Sequence, residues 1–495
     1  MYRHSAVIFI FTFITPFSLA QDIEEIVVTA DYRQSSINAV NASVTVLDET
    51  LIQQKNAQHL EDILNNAPNL NFSSGASRAR FYQIRGIGER GQFTEPLNPS
   101  VGVIIDGVDF SGIGNAAMLY DVEQVEILLG PQGTRYGSNA LAGLINLRSK
   151  QPTDAFAFGA QMEAANYDSK GLAAYVSGPV SKQLGYRLSM QNIASDGFSN
   201  NLFLDRPTNK RDETTLRGKL VWQATPDIRL DLNASLMDLD NGYDAFSLDN
   251  IRDTLADEPG FDRQRSNLIS GNLSVDSSPY FSLEANIGYG DADIEYGYDE
   301  DWVHEGFHPF EYSSTDYYFR DRSTSSGELK LLSKDRSALF GGTTDWVVGL
   351  YSLQQGVDLR RVYTYLPGDF SSNYEIDRLA TYAETSTALG DSLSLTVGLR
   401  LERFQGDYHD SDALAFGPDD NLYGGKLALN WYTAADNLVY LSASRGYKTG
   451  GFNTDGSLDA ELREFDSEQL WNYELGFKGF LFDGSLQTRV AVFYM

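Results

Sequence analysis

The chain has 495 residues, no cysteine, and 38 Lys and Arg against 68 Asp and Glu, a formal charge of −30. That charge argues against a nucleic-acid partner, whose phosphates it would repel, and the missing thiol excludes cysteine catalysis and disulfide cross-links. The length allows several domains.

Residues 1–20 read as a cleavable export signal. Arg3 supplies the positive end, Ala6 to Ile14 the apolar core, and Ser18-Leu19-Ala20 a small-residue cleavage site before Gln21. A cysteine-free exported chain suits a bacterial envelope. Residues 21–40 then carry Ile23-Glu24-Glu25-Ile26-Val27-Val28-Thr29-Ala30, whose β-branched residues favour an extended backbone able to add itself as a strand to another protein's sheet. This run is expected to be an exposed handle rather than a fold element. On the residues alone, a disordered N-terminus competes with that reading.

Residues 41–152 have a mixed pattern, expected to form a small α+β domain. Ser43 to Leu47 reads as a strand, and Asn56 as the cap of a helix whose Leu60, Ile63, Leu64 and Ala67 fall at i, i+3, i+4 and i+7. Strands follow at Arg80–Arg85, Val101–Phe110 with Asp106-Gly107 as a tight turn, Val125–Leu129 and Leu144–Arg148. The glycines at 130, 133 and 137 lack the Gly-Lys-Ser/Thr ending of a phosphate loop, so tight turns explain them better.

From residue 153 onward the period changes to two. Leu393, Leu395, Val397, Leu399 and Leu401 share one face, with Ser394, Thr396, Gly398, Arg400 and Glu402 on the other. Ile228 to Leu236 and Trp471 to Phe477 alternate likewise. A soluble sandwich would also alternate. Long strands, aromatic residues near strand ends and short turns alternating with long loops favour a membrane barrel. Short turns are expected at 225–227, 389–392 and 482–484, and long loops at 200–212, 241–262, 299–316 and 408–421. No later stretch approaches the roughly 18 apolar residues of a spanning helix.

Several motifs, in order, carry a resemblance to the TonB-dependent outer-membrane receptors that covers nearly everything after the signal. Ile23 to Ala30 is similar to their TonB box. Gln83-Ile84-Arg85-Gly86-Ile87-Gly88, Pro99-Ser100-Val101-Gly102-Val103 and Ile105-Asp106-Gly107-Val108 resemble their plug motifs. So do Gly130-Pro131-Gln132-Gly133-Thr134-Arg135-Tyr136-Gly137-Ser138-Asn139-Ala140 and Ala142 to Asn146, while Gly446 to Asn453 looks like a barrel motif. Leu129, Arg135 and Ser138 depart from the usual family residues.

The resemblance implies an antiparallel transmembrane β-barrel in the bacterial outer membrane, with the N-terminal α+β plug in its lumen. It implies that TonB pulls the handle to import a scarce nutrient, most often a ferric siderophore. The chelate would be cargo, with no resident cofactor; a corrinoid or carbohydrate is the alternative cargo, and a passive porin would lack plug and handle. Outer-membrane lipid and lipopolysaccharide would be partners. Arg85 and Arg135 are expected to pair with lumen carboxylates, against the alternative of ordinary surface arginines.

Nothing reads as catalytic, and no serine nucleophile elbow is present. Tyr296 to Arg322, with Tyr298, Trp302, His304, His308 and Arg320, offers aromatic surfaces beside cations suited to an anionic chelate. An aromatic belt at the membrane boundary is the equal alternative. His304 and His308 have helix-like metal spacing in surroundings that are not helical, so a solvated loop is expected. About fourteen full strands and an incomplete fifteenth, Ser485 to Met495, are expected against the 22 of such transporters. The sequence is accordingly read as truncated, or else a non-functional fragment.

Overall fold

The computed structural model describes residues 27–28, 32–33, 35–75, 77–90, 99–113, 117–244, 246–309, 313–434, 437–452, 460–482 and 485–495. The signal, Ile23 to Ile26, Thr29 and Ala30 lie outside these residues, as do Phe310, Tyr312 and Asn453.

The N-terminal unit begins with β1 (Val27–Val28), antiparallel to β2 (Ser35–Ser36). β3 (Ser43–Asp48) leads into α1 (Glu49–Gln54), and β4 (Leu70–Ser73) forms a hairpin with β5 (Phe81–Ile84). β6 (Val101–Ile105) and β7 (Val108–Asp109) turn on Asp106 and Gly107, both at positive φ. With β8 (Val122–Leu129) and β9 (Gly143–Ser149) they make a five-stranded sheet ordered β3-β8-β9-β6-β7, in which β6 and β9 run parallel.

The helix expected after Asn56 lies elsewhere. Asp48 caps α1, accepting from the Leu51 amide at 2.8 Å, and Asn56 sits at φ 48° just beyond its end. Leu60 to Ala67 instead forms two 3-10 turns, Leu60–Asp62 and Leu64–Asn66. The Asp62 carboxylate accepts from the Gln58 and His59 amides at 2.9 and 3.0 Å, a local cap that starts a tight turn here. The four apolar residues singled out by spacing are buried all the same.

After β9 the chain is strand and connection. β10 (Ala157–Ala165), β11 (Ser169–Pro179) and β12 (Leu184–Ser195) precede a small outer ribbon, β13 (Ser199–Asn201) and β14 (Arg206–Thr208). β15 (Arg211–Thr225) and β16 (Ile228–Tyr243) follow; β17 (Asp253–Thr254) joins the ribbon. β18 (Gly260–Val275) precedes the longest strands, β19 (Phe281–Asp299), β20 (Thr315–Ser333), β21 (Thr344–Tyr363), β22 (Phe370–Ala388) and β23 (Leu393–Asp410). β24 (Ala415–Phe416) is a side branch on β23, before β25 (Asp419–Ala434) and β26 (Asn437–Lys448). β27 (Gly451–Phe452) and β28 (Glu464–Phe465) pair across a loop, and β29 (Glu468–Leu481) and β30 (Leu486–Tyr494) finish the sheet. Leaving out β24, the 16-stranded sheet has fifteen strands in line (16 − 1), each antiparallel to the next.

Period two decides which side chains meet lipid. On β23 Val397, Leu399 and Leu401 are exposed outward while Thr396, Arg400 and Glu402 are buried inward. Apolar outward residues crowd the short-turn half of the strands, and Arg403, Gln405 and Asp407 continue the same face toward the long loops. β21 has 20 residues, about 66 Å of extended chain, whereas about 9–11 residues cross the hydrocarbon. The strands therefore project well beyond the bilayer on the loop side. Inside, plug residues such as Leu60, Phe110 and Ile127 share one core with Met237, Leu239, Leu268 and Ile294 of the wall.

Leu399→Arg is expected to destabilise the folded protein in lipid vesicles by about 2–4 kcal/mol, and Gln405→Arg on the same face by less than about 1 kcal/mol. Equal costs in denaturant titrations would show that Leu399 does not face hydrocarbon.

Candidate functional site

The N-terminal segment departs from a free handle. Val28 is fully buried, packed with Ile37, Val40, Val44, Leu128, Ala140 and Leu144, while the Val27 carbonyl accepts from Gln124 Nε2 at 3.1 Å. β-branched residues that favour an extended chain also fit a sheet-like seat on the plug. Tyr32 stacks on Tyr382 of β22 with ring centroids 5.0 Å apart, and its hydroxyl donates to the Thr134 carbonyl at 2.8 Å. Burial raises the Tyr32 pKa well above its usual value, so this hydroxyl stays a donor. Arg33 Nη2 donates to the Ser333 carbonyl at 2.7 Å, and Lys478 Nζ to the Ile37 carbonyl at 2.9 Å. The segment behind the TonB-box-like run is thus clipped to plug and barrel together.

Buried ion pairs hold the plug to the wall. Arg78 donates to both oxygens of Glu213 on β15, at 2.7 and 2.5 Å, and to Glu61 at 2.9 Å. Burial works against the Arg78 cation, yet Glu213 and Glu61 hold its pKa above the usual value. Burial likewise works against the Glu61 carboxylate, and His59 and Arg78 outweigh it to keep the pKa below the usual value. Arg80 pairs with Asp262 of β18. Arg187 of β12 reaches back to Asp121, and Lys448 Nζ meets Glu89 at 2.7 Å.

Arg85 Nη2 lies 2.5 Å from Glu474 on β29, and its guanidinium sits over Phe493 at 3.7 Å. Glu474 also accepts from the Ser43 amide at 3.0 Å and the Tyr440 hydroxyl at 2.6 Å. Arg135 takes a different place: it stands over the Tyr136 and Tyr32 rings at 4.9 and 5.6 Å, and its carbonyl accepts from Arg400 Nη1.

The glycine motif is where plug and wall come closest. α2 (Gly133–Tyr136) touches β25 and β26: a Cβ on Gly133 would stand 3.0 Å from the Arg445 carbonyl oxygen and 3.1 Å from Gly446 Cα. Gly137, at φ 71°, lies against the Arg400–Glu402 pair, and a Cβ there would meet Glu402 Oε2 at 2.6 Å. Tyr447 donates to that oxygen at 3.0 Å. Pro131 adjoins Gly446, and Asp106 accepts from the Ser149 amide at 2.8 Å. Gly86 lies at φ 82° in the turn after Arg85.

Tyr296 to Arg322 is not one surface. β19 and β20 send Tyr296, Tyr318, Arg320 and Arg322 into the lumen, where they are buried, and turn Tyr317 and Phe319 outward against Phe261. Tyr296, Tyr318 and Tyr243 form a lumen cluster with Tyr298 and Phe246 packed on it, and Trp302 stacks on Phe246 at 5.1 Å. His304 stacks on Phe203 at 4.4 Å, and His308 lies edge-on to Phe307. Among the described residues, no cluster of His and carboxylates suits a metal ion.

Sequence reasoning missed Arg78, Arg80, Glu89 and Asp121. Their wall partners lie 66 to 359 residues away, beyond any local spacing; the signal was three arginines within residues 78–85.

The family model described as the TonB-dependent Receptor Plug Domain matches residues 36–144, and that described as TonB dependent receptor-like, beta-barrel matches residues 231–495. The chain belongs to the TonB-dependent receptors of the bacterial outer membrane. It is 27% identical over 513 residues to the pesticin receptor of Yersinia pestis, covering 96% of this chain and 70% of the relative. A vitamin B12 transporter of Vibrio vulnificus is 27% identical over 37% of this chain and 31% of its own length. Among solved structures, the ferric yersiniabactin uptake receptor of Yersinia pestis superposes with a TM-score of 0.78 at 20% identity, covering 92% of this chain and 72% of that one.

Removing one partner of a buried pair strands the other charge, so Arg85→Ala is expected to cost about 3–5 kcal/mol in thermal or denaturant unfolding. The double variant Arg85→Ala/Glu474→Gln should recover part of it, and strict additivity would show that the pair is not coupled. Glu61, with its lowered pKa, contributes stability above its ordinary value of 4.5 and loses it as pH falls through the lower folded value. The stability gap between wild type and Glu61→Gln should therefore shrink as pH falls below 4.5; a gap that widens would contradict the assignment.

Proposed function

We propose that this receptor imports a ferric siderophore, with TonB pairing to Ile23–Ala30 as an added strand and pulling the plug. The observation that carries this reading is that Val27, Tyr32 and Arg33, at and just behind the TonB-box-like run, are each bonded to the plug or the wall. A pull on the segment loads Val28 and Tyr32 first, then α2 through Thr134. The plug–wall ion pairs resist until loaded, because short bidentate contacts keep their strength only while in line. The ferric yersiniabactin uptake receptor among the similar structures favours an iron chelate as cargo.

Tyr298, Trp302, His304, His308 and Arg320 are proposed to face the incoming ligand from the loop side of β19 and β20. The outward residues above the apolar band, including Arg263, Arg265 and Asp293, are proposed to meet lipopolysaccharide headgroups, while the band itself meets lipid.

Deleting residues 23–30 is expected to abolish energised uptake of ferric chelates under iron limitation while leaving binding to whole cells unchanged. Uptake and binding both surviving would refute the import mechanism. Uptake of cyanocobalamin or a maltodextrin in place of every ferric chelate would replace the cargo and keep the mechanism.

A further inference from the structure

A cavity of about 880 Å³ lies between the plug sheet and the wall. Its lower end reaches the short turn at Pro226 and Asp227, and its upper end reaches Asp109, Asn139 and Tyr351. Beside Asn139 and the plug loop at Gly112, three neighbouring strands turn polar side chains inward: Arg322 on β20, Gln355 on β21 and Arg378 on β22. Their registers interlock, since Gln355 lies opposite Thr324 and Ile376, each two residues from one of the arginines.

All three side chains are sealed, at 7%, 3% and 4% exposure. Nε and Nη2 of both Arg322 and Arg378, and both polar atoms of the Gln355 amide, have no hydrogen-bond partner among the described residues. Nearby arginines are matched, Arg361 by Asp316 and Arg400 by Glu402. Arg378 Nη1 instead donates to Asn139 Oδ1 at 2.7 Å, and Asn139 Nδ2 donates to Asp109 Oδ2 at 2.5 Å. Arg378 reaches the plug carboxylate through the Asn139 amide. Arg322 Nη1 abuts the plug loop, 3.2 Å from where a Cβ on Gly112 would stand.

Buried guanidiniums without carboxylates are costly, and in a chain of charge −30 carboxylates are not scarce. The arrangement leaves hydrogen-bond donors suited to an anion unmet, next to the plug residues Asp109 and Asn139 that line the cavity. We propose that Arg322, Arg378 and Gln355 form an anion-binding site that takes a carboxylate- or phenolate-sized oxyanion of a passing chelate once the Asp109–Asn139 side of the plug withdraws. Planar guanidinium forks fit such oxygens in pairs. In the resting receptor the Arg378–Asn139–Asp109 chain latches the site shut. The inference rests on the import reading and adds to it a side of the lumen, a latch and a charge preference.

The test is ion conductance of the protein, purified from its native outer membrane and placed in a planar bilayer with a potassium chloride gradient. Wild type is expected to be silent. Asn139→Ala, and independently Asp109→Asn, should open a steady current whose reversal potential favours chloride over potassium about tenfold, as cationic linings do. Adding Arg322→Gln should keep the current and bring the ratio near one. Heat-modifiable mobility confirms that each variant is folded. Silence of both opened variants, a current without anion preference, or a preference that survives Arg322→Gln would each overturn the proposal. Conductance needs neither TonB nor cargo, so silence beside intact ferric-chelate uptake refutes this site alone, and the expected currents without uptake refute the import reading alone.

Discussion

A peptide group in hydrocarbon has no water to bond, and leaving it unpaired costs several kcal/mol. Everything else in this protein follows from that constraint. It requires each spanning segment to lie beside another strand, which gives the antiparallel ladder from β10 to β30. A ladder of period two has one face for lipid and one for the lumen, so the apolar side chains that would fill the core of a soluble protein are spent outward. The lumen is left polar, and whatever occupies it must be bound by polar contacts.

The plug answers that demand in an economical way. Its own core of Leu, Ile and Val is covered by its sheet and turns and by a few apolar wall residues. Elsewhere the interface is made of arginine–carboxylate pairs, Arg78 with Glu213 and Arg85 with Glu474 among them, and of glycine surfaces where Gly133 meets Gly446. An apolar interface of this extent would be permanent. Charge-paired contacts hold firmly while dry and weaken once water enters.

Much of this was legible in the sequence. Alternation such as Leu393 to Glu402 reports the two faces of a sheet directly, because the side-chain period of a strand is fixed. Motif order carried the plug and its place before the barrel. Asn56 misled because a good cap residue is also a good left-handed turn residue, and here it ends α1 instead of starting a helix. The seat of Val28 was not legible because extended, β-branched sequence fits both a free strand and a place on the plug. The ion pairs and the Arg322–Gln355–Arg378 group were invisible for a different reason: the sheet and the plug it faces bring together residues tens to hundreds of positions apart, and no local pattern encodes such a meeting.

The central claim is that the sheet has one lipid face and one face turned to a seated plug. The chain has no cysteine, so single cysteines placed from Leu395 to Glu402 can carry spin labels without background. Collision rates with oxygen, which dissolves in lipid, and with a water-soluble nickel chelate are then measured for each position in vesicles. The account predicts a strict two-residue period, with oxygen favoured at 397, 399 and 401 and labels at 396, 400 and 402 shielded from both. Labels equally open to the nickel chelate on both faces, or no period at all, would contradict it.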